Sequence, residues 1–291
     1  MHLKRIHVLS LLIPILIAAA VPASAPASFA GKNGRIFFAS NLEPTDYFTD
    51  IFSMTPRGTD VKPVKMLDNW QRSPTVSPNG LWVAFSSEPE QMCCLTYHAM
   101  RANGNGMVPI DEAPEFMRGG QTVWPSVSPG SSQGNPAYSS DGSRIAWRQD
   151  DGTVDDPNWN IYVARSDGTG VRQLTNRVGD EGAPDFSPNG RRIVYAASTA
   201  DSGYDIFGIR FRGTDSRRLT HGDDATTQGG VDAVSQFDPD YSPNGKQIIY
   251  MQWLGEKPDI FKMQADGSNE HALTERKGYI ADPDWAVKSG T

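Results

Sequence analysis

Five residues, from Gly130 to Gly134, have the letters Gly-x-Ser-x-Gly that surround the nucleophilic serine of many hydrolases. Such a serine needs a strand before it and a helix after it, because that sharp turn exposes the hydroxyl beside an oxyanion hole. Here Pro125, Pro129 and Pro136 flank the motif, and proline removes a backbone N–H that regular elements use. We therefore predict no catalytic serine at this position.

Acidic residues gather in three other segments, 176–183, 221–238 and 275–282, each of which ends just before a proline. Carboxylates from several segments could hold a hard cation such as Ca²⁺, and a histidine among them would favour a transition metal. The alternative, which we favour for the two aspartates that precede proline, is that they accept backbone hydrogen bonds and order the turn. The candidate ligand-binding residues are Glu181, His221, Asp223, Asp224, Asp238 and Asp282.

The spacing of the histidines and of the cysteines does not indicate a metal site. His98, His221 and His271 are far apart in the sequence and lack the spacing of zinc ligands. The only cysteines, Cys93 and Cys94, are adjacent. They could form a vicinal disulfide, pair with another chain or remain thiols, but they cannot cross-link distant parts of a fold. We predict no catalytic residue and no required cofactor, with bound Ca²⁺ as the alternative.

Two alternating sequence phrases account for most of the remaining chain. The first reads Pro, any residue, an aromatic residue or Val, Ser, a variable residue, Asn or Asp, and Gly. An alternating apolar run follows it. It begins at Pro74, Pro136, Pro184 and Pro239. Asn-Gly and Asp-Gly pairs supply the positive φ angles of tight hairpins, and alternating apolar residues give a strand with one buried face. Each copy therefore predicts a β-hairpin.

The second phrase opens with Asp or Asn, Ile and an aromatic residue, passes through a Gly-containing turn, and often ends on Leu-Thr. We interpret its recurring aspartates, Asp50, Asp205 and Asp259, as structural, because residues repeated in repeat proteins usually serve the architecture. Together the two phrases predict units of four antiparallel strands. Such a unit buries its faces only by stacking on neighbouring units.

The two ends of the repeated region complement each other. The region starts inside a phrase, at Asn33, and stops inside a phrase, at Trp285. Joined together, the two fragments make one complete repeat, which predicts a ring whose C-terminal strand is the innermost strand of the first blade. The predicted fold class is therefore all-β, a β-propeller of four-stranded antiparallel blades. Counting the second phrase favours five blades, and a sixth, degenerate blade near Pro125 is the alternative.

Residues 1–30 have the features of an export signal, with a short basic start, an apolar run from Val8 to Val21 and small residues up to Ala30, after which we expect cleavage. An uncleaved N-terminal anchor is the alternative. We expect residues 31–291 to form one domain that is periplasmic or secreted, without a further apolar run long enough to span a membrane. Because the net charge of the chain is −7, non-specific binding to nucleic acid is not expected.

The combined pattern, Pro-x-aromatic-Ser-Pro-Asn-Gly followed by Asp-Ile-aromatic and Leu-Thr, resembles the repeats of TolB-like β-propellers over nearly all of residues 31–291. The resemblance implies a propeller of the type found in periplasmic TolB, which binds partner proteins of the cell envelope. The pattern is also similar to the propellers that precede the catalytic domain of prolyl-oligopeptidase-like peptidases, and to those of some polysaccharide lyases.

These observations lead to one principal functional hypothesis, a monomeric, non-catalytic binding propeller that recognises a protein or another component of the cell envelope. The alternative is a carbohydrate-active lyase or hydrolase that uses the carboxylates together with His221, because such a reaction needs a base beside a charge-neutralising group. An insertion from about residue 107 to 135 interrupts the repeats and carries side chains suited to an interface, Phe116, Arg118 and Trp124.

The positions of the tryptophans in the repeats predict two classes. Trp82, Trp147 and Trp285 lie on repeat strands and are expected in the core. Trp70, Trp159 and Trp253 lie near loops, where exposed aromatic side chains suit protein interfaces or stacking on sugars.

Overall fold

A computed structural model describes residues 30–42, 48–67, 69–88, 96–113, 133–152, 158–198, 203–221, 234–254, 257–275 and 278–288. Within these ranges the chain forms β-strands that assemble into five four-stranded antiparallel sheets, the blades of a propeller. This confirms the all-β prediction and the count of five blades. None of the described residues belongs to a helix of the length and apolar character needed to cross a membrane.

The blades follow one another along the chain. The first contains β1 (Asn33–Ser40), β2 (Asp50–Met54), β3 (Lys62–Lys65) and β20 (Ile280–Val287). The second contains β4 (Trp70–Val76), β5 (Trp82–Glu88), β6 (Thr96–Arg101) and β7 (Val108–Pro109). The third contains β8 (Gln133–Tyr138), β9 (Arg144–Asp150), β10 (Trp159–Arg165) and β11 (Arg172–Gln173). The fourth contains β12 (Glu181–Phe186), β13 (Arg192–Ser198), β14 (Tyr204–Arg210) and β15 (Arg217–Arg218). The fifth contains β16 (Ser235–Tyr241), β17 (Gln247–Leu254), β18 (Lys257–Gln264) and β19 (His271–Ala272).

The C-terminal strand closes the ring as the split repeat predicted. β20 pairs antiparallel with β1, so that Trp285 lies opposite Ile36. It takes the inner edge of the first blade, in the sheet order β20-β1-β2-β3. Buried side chains from the first and fifth blades, among them Phe38, Ile260 and Trp285, form one cluster across this junction. Closure therefore joins the last strand to the other strands of the first blade by pairing and to the fifth blade by packing.

The first sequence phrase forms the turn between the two inner strands of a blade. In the second blade the Ser77 hydroxyl donates to Asn79 Oδ1 at 2.8 Å and accepts the Trp82 N–H at 2.9 Å. Gly80 follows with a φ of 68°, a conformation that costs glycine little. Equivalent bonds form at Ser139, Ser187 and Ser242. The phrase therefore recurs because each blade needs the same turn.

These turns define the two faces of the propeller. The turns at 77–81, 139–143, 187–191 and 242–246, with the outer turns at 55–61, 102–107, 166–171, 211–216 and 265–270, lie at one end, which we call the turn face. Because the strands are antiparallel, the inner strands β4, β8, β12, β16 and β20 all begin at the opposite end. We call that end the mouth face.

The second sequence phrase is also structural. The Thr220 hydroxyl donates to Asp205 Oδ1 and accepts the Ile206 N–H, both at 2.9 Å, and Thr274 repeats this arrangement with Asp259. Asp50 accepts instead from the Leu67 N–H at 3.0 Å. The structural interpretation of these three aspartates is confirmed, because each buried carboxylate ties the third strand of its blade to the chain that follows.

Two of the three tryptophans predicted for the core are buried there. Trp147 is 0% exposed and Trp285 is 3% exposed. Trp82 is only partly buried, and the Arg101 guanidinium lies 5.1 Å from the centre of its ring. The prediction for Trp82 was therefore only partly right, since Trp82 is the first residue of β5 and lies at the end of the strand.

Glycines in the outer turns allow neighbouring blades to approach closely. Gly104 has a φ of 85°, and a Cβ at this position would lie 2.0 Å from the carbonyl oxygen of Val64 in the first blade. Gly106 in the same turn has a φ of 64°, but a Cβ there would meet nothing within 4 Å. The two residues therefore separate the effect of backbone conformation from that of packing between blades.

We expect Gly104→Ala to destabilise the protein more than Gly106→Ala. Both substitutions place alanine in the left-handed region, which costs about 1–2 kcal/mol. Only the first also displaces backbone of the adjacent blade, and overpacking of this kind adds about 1–3 kcal/mol. Urea unfolding of both variants measures the difference. Equal free energies of unfolding would show that the two blades do not depend on this contact.

Candidate functional site

At the mouth face, the inner strands carry bulges at the residues that precede proline. The pairing register shifts between Arg72 and Thr75, and equivalent shifts occur in β12 and β16. The pre-proline residues have positive φ angles, namely Ser73 (50°), Ala183 (46°), Asp238 (48°) and Asp282 (53°). Proline disfavours the helical region for the residue before it and donates no hydrogen bond to the ladder. The bulges therefore follow from sequence and place equivalent residues around the channel.

Asp282 links the bulges of two neighbouring blades. Its Oδ2 accepts the Ser73 N–H at 3.0 Å and the Ser73 hydroxyl at 3.2 Å. The carboxylate thus accepts a backbone hydrogen bond, as the sequence favoured. The donor, however, belongs to the pre-proline turn of the next blade and not to the aspartate's own turn.

Asp238 lies one blade earlier in the same ring. Burial raises the pKa of Asp238 to about 7, the Asp282 carboxylate acts in the same direction, and Arg148 opposes them. No hydrogen bond to its carboxylate occurs within the described part of the chain. Asp238 therefore changes its protonation state near neutral pH. Its carboxyl group can take part in hydrogen bonds both when it is protonated and when it is ionised.

Arg148, on β9 of the third blade, is a cation close to Asp238. Its guanidinium lies 4.3 Å from the centre of the Trp159 ring. A Cβ at Gly182 would lie 3.4 Å from Arg148 Cδ, so the absence of a side chain there leaves room for the arginine. Its Nε is buried and finds no hydrogen-bond partner among the residues described. A stacked guanidinium whose Nε makes no hydrogen bond in the described chain is suited to a carboxylate or phosphate of a ligand.

Sequence reasoning did not identify Arg148, although comparing the repeats would have shown it. The pairing registers place Ser86, Ala196 and Met251 at the equivalent position of other blades. A guanidinium in a position otherwise filled by small or apolar residues departs from what the architecture requires. That departure distinguishes the third blade from the others at this position.

Aromatic side chains surround these charges at the mouth face. The ring pairs are Trp253 with Tyr279, Tyr204 with Phe237, and Phe48 with Trp70, with centroids 6.0, 4.8 and 5.7 Å apart. Trp70, Trp159 and Trp253 were expected to be exposed, and they are partly buried because they stack on neighbours. Half-exposed aromatic rings beside charges are typical of protein interfaces. We call the set formed by Arg72, Ser73, Arg148, Trp159, Tyr204, Asp238, Trp253, Tyr279 and Asp282 the mouth site.

Glu181 has a different environment from the other predicted ligands. The third blade has Asn160 where the first, fourth and fifth blades have aspartate, and its Thr175 hydroxyl donates instead to Glu181 Oε2 of the fourth blade. Glu181 is 2% exposed, its Oε1 lies 3.8 Å from Arg177 Nε, and burial raises its pKa to about 7. Glu181 thus supplies the carboxylate that the repeat lacks at residue 160. Its role in ligand binding stays a prediction.

Below the mouth site, a second set of aspartates fastens the inner strands together. Asp185 Oδ2 accepts the Tyr241 N–H at 2.9 Å, and Asp240 Oδ2 accepts the Trp285 N–H at 2.5 Å. Burial and the nearby Asp185 raise the pKa of Asp284 to about 8. These carboxylates join the fourth blade to the fifth and the fifth to the first. Their position in the repeat explains why the phrase Pro-Asp recurs in the last three inner strands.

Of the remaining predicted site residues, the structure places only some. His221 is an exposed residue that follows β15. Asp223 and Asp224 lie outside the described residues, as do Phe116, Arg118, Trp124, Cys93, Cys94, residues 130–132 of the Gly-x-Ser-x-Gly motif and the N-terminal signal. Within the described ranges, no group of three or more His, Cys, Asp or Glu side chains is arranged to hold a metal ion. Of the predicted ligands, Asp238 and Asp282 are brought together.

Comparison with solved structures gives the same fold. The chain resembles TolB from Acinetobacter baumannii with a TM-score of 0.55 and 16% identity, over 88% of this chain and 67% of that one. It resembles the tricorn protease with a TM-score of 0.52 and 10% identity, but spans only 26% of that protein. A TolB structure from Agrobacterium tumefaciens gives a TM-score of 0.45 at 18% identity, over 88% and 90% of the two chains. No family model matches the sequence.

Identities this low establish a shared architecture and no more. The chain therefore has the β-propeller fold of TolB, as its repeats indicated. What it binds has to be inferred from its own mouth site.

Proposed function

We propose that this chain is an exported, non-catalytic binding propeller that recognises a protein or another component of the cell envelope at its mouth site. The observation that carries the proposal is Arg148, whose guanidinium stacks on Trp159 while its buried Nε has no partner within the described chain. A repeat strand has no architectural need for such a residue. The guanidinium instead fits an anionic group that arrives with a ligand.

The surroundings of Arg148 indicate what a ligand should offer. A carboxylate of the partner can pair with the guanidinium, while Asp238, whose pKa burial raises to about 7, can accept or donate a hydrogen bond beside it. Trp253 and Tyr279 offer aromatic surface to an apolar side chain. A polypeptide segment with an acidic and an apolar residue combines these features, and the TolB fold supports a protein partner as the first class to test.

Export and a periplasmic or secreted location belong to the same proposal. They rest on the basic start, the apolar run and the small residues of the first thirty positions. A monomer is sufficient for the proposed activity, because the mouth site is built from blades of one chain.

The test is capture followed by quantitative binding. Residues 31–291, immobilised through the turn face, should retain a component of an envelope extract that mass spectrometry then identifies. The purified component should bind the wild-type propeller and lose at least tenfold in affinity to Arg148→Ala and to Trp159→Ala, since charge-assisted and aromatic anchors dominate interface energies. Isothermal titration calorimetry measures the dissociation constants.

Arg191→Ala is the matched control, because it removes an equally charged, exposed arginine from the turn face. It should bind with wild-type affinity. A partner whose affinity falls with Arg191→Ala but not with Arg148→Ala would place recognition elsewhere and refute the mouth site.

One observation favours the carbohydrate-active alternative as a second candidate. Asp238, with a pKa raised to about 7, and Arg148 combine a base with a charge-neutralising group, as elimination next to a carboxylate requires. Incubation of the mature chain with polygalacturonate would reveal turnover as the ultraviolet absorbance of an unsaturated product. Loss of that signal in Asp238→Asn would assign it to this site. A flat trace with wild-type protein would leave binding as the function.

A further inference from the structure

The two faces of the propeller carry opposite charge. At the turn face, the turns themselves carry slightly more acidic than basic residues, but the strand ends that adjoin them are rich in Arg and Lys, so that basic residues outnumber acidic ones over the face as a whole. Every blade contributes exposed basic side chains. Examples from successive blades are Lys32, Arg57, Arg101, Arg165, Arg212 and Lys246. At the mouth face the balance is reversed, since Asp111, Asp150, Asp180, Asp238 and Asp282 all lie near the ends of strands there. The net charge of the whole chain is −7, and this negative charge is therefore distributed unevenly between the two faces.

The acidic residues that do occur at the turn face serve the turns themselves. Asp167 accepts the N–H and hydroxyl of Thr169, and Asp266 accepts those of Ser268. Asp60 is paired with Arg35 at 2.6 Å. Hydrogen bonds hold the pKa of each of these three carboxyls below its usual range, so they stay ionised. They neutralise part of the face and leave a positive surface around the ring.

The first and second blades add a cavity to this surface. A cleft of about 790 Å³ lies between them, and its lining includes Arg35, Lys62, Arg101 and Lys288. Arg35 and Lys62 already pair with Asp60, so the cleft relies on Arg101 and Lys288 for further positive charge. Basic side chains that converge on one cleft from two blades can hold a compact anionic group.

The N-terminal end of the described chain also lies at the turn face. The Gly31 N–H donates to the Pro243 carbonyl at 2.9 Å, and the Lys288 N–H donates to the Lys32 carbonyl at 2.7 Å. Pro243 belongs to the turn at 242–246. The apolar run of the predicted signal therefore joins the propeller on the basic side, and an uncleaved anchor would hold this same side toward a membrane.

We propose that the turn face docks on a membrane surface rich in anionic lipids, with a lipid phosphate seated in the cleft between the first and second blades. A broad surface with basic residues from all blades matches a flat, delocalised anionic surface better than a single compact ligand. Docking in this way directs the mouth site away from the membrane, where a partner can reach it. The inference does not depend on what the mouth site binds.

Vesicle flotation tests this proposal on purified residues 31–291. Vesicles of phosphatidylglycerol and phosphatidylcholine in equal parts should carry the protein upward at 50 mM salt, whereas pure phosphatidylcholine vesicles should not. Raising the salt to 500 mM should release it, because at that ionic strength the electrostatic attraction extends over only a few ångströms. Replacing two basic residues, Arg212→Gln with Lys246→Gln, should weaken binding roughly 30-fold, since each contributes about fivefold near an anionic surface.

A second double variant, Asn176→Asp with Val178→Glu, lowers the net charge equally at exposed positions of the mouth face. It should bind the anionic vesicles like wild type. Equal binding to both kinds of vesicle, no binding to either, or equal loss in both double variants would overturn the proposal. Tight binding of soluble heparin without any vesicle binding would also overturn it, and would assign the face to a soluble polyanion.

Discussion

Replacing Trp285 with alanine should lower the free energy of unfolding by about 3–5 kcal/mol, as expected for a fully buried tryptophan. Trp285 is 3% exposed and packs with Ile36, Ile249 and Ile260 across the junction of the first and fifth blades. It is also the only tryptophan on β20, the strand that closes the ring. The substitution therefore creates a cavity where the last strand joins the rest of the propeller.

Urea unfolding followed by circular dichroism measures this effect, and a fall in melting temperature on the order of 10 °C should accompany it. Trp253→Ala is the control, since Trp253 is only half-buried and makes an edge contact with Tyr279. Its cost should be smaller, about 1–2 kcal/mol. If both variants lost the same stability, closure by β20 would not be a principal source of stability.

Much of the fold could be predicted because its bonds are short-range and repeated. The bond between Ser77 and Asn79 spans two residues, and the pair of Asp205 and Thr220 lies within one blade. Each appears in the sequence as a fixed phrase, so the phrases encode the blades directly. Ring closure was also predictable, because the repeat is divided between Asn33 and Trp285.

The site was harder to predict, because its residues come together across blades. Asp238 and Asp282 were identified by their place before proline, a local feature. Arg148 was missed because its strand was interpreted as core, and its surroundings depend on Trp159 and on Gly182 of the next blade. No pattern within a single repeat records such contacts.

Glu181 illustrates the same limit. Its residue type and position suggested a ligand at the channel, but it lies buried against Thr175. The reason is the change from aspartate to Asn160 in the preceding blade. A substitution in one repeat and its compensation in the next become visible only when the two blades are seen side by side.

A second large effect is expected in the pH dependence of stability. Burial raises the pKa of Glu181 to about 7 from an ordinary value of 4.5. In the unfolded chain this carboxyl loses its proton near the ordinary value, whereas the folded protein keeps the proton until about pH 7. Between these values the folded state binds more protons, so stability must fall as the pH rises. The full change from this one residue is on the order of 3 kcal/mol.

Other carboxyls reinforce this trend. Burial also raises the pKa of Asp238 to about 7 and that of Asp284 to about 8. The carboxyls with lowered pKa values, such as Asp60 and Asp167, gain protons only below about pH 4 and so do not affect this range. The protein should therefore be more stable at pH 5 than at pH 8.

Urea unfolding at pH 5, 6, 7 and 8 measures this dependence, and Glu181→Gln isolates the contribution of this one carboxyl without loss of shape. Glutamine still offers an oxygen to the Thr175 hydroxyl that now donates to Glu181, but it does not titrate. The variant should lose roughly a third of the slope between pH 5 and 7, because Asp238 and Asp284 still contribute, and it should exceed the wild type in stability at pH 8. Glu112→Gln, at an exposed glutamate, should keep the wild-type slope. If Glu181→Gln also kept that slope, the carboxylate would already be ionised in the folded protein at pH 5, and its bond to Thr175 together with Arg177 would outweigh its burial.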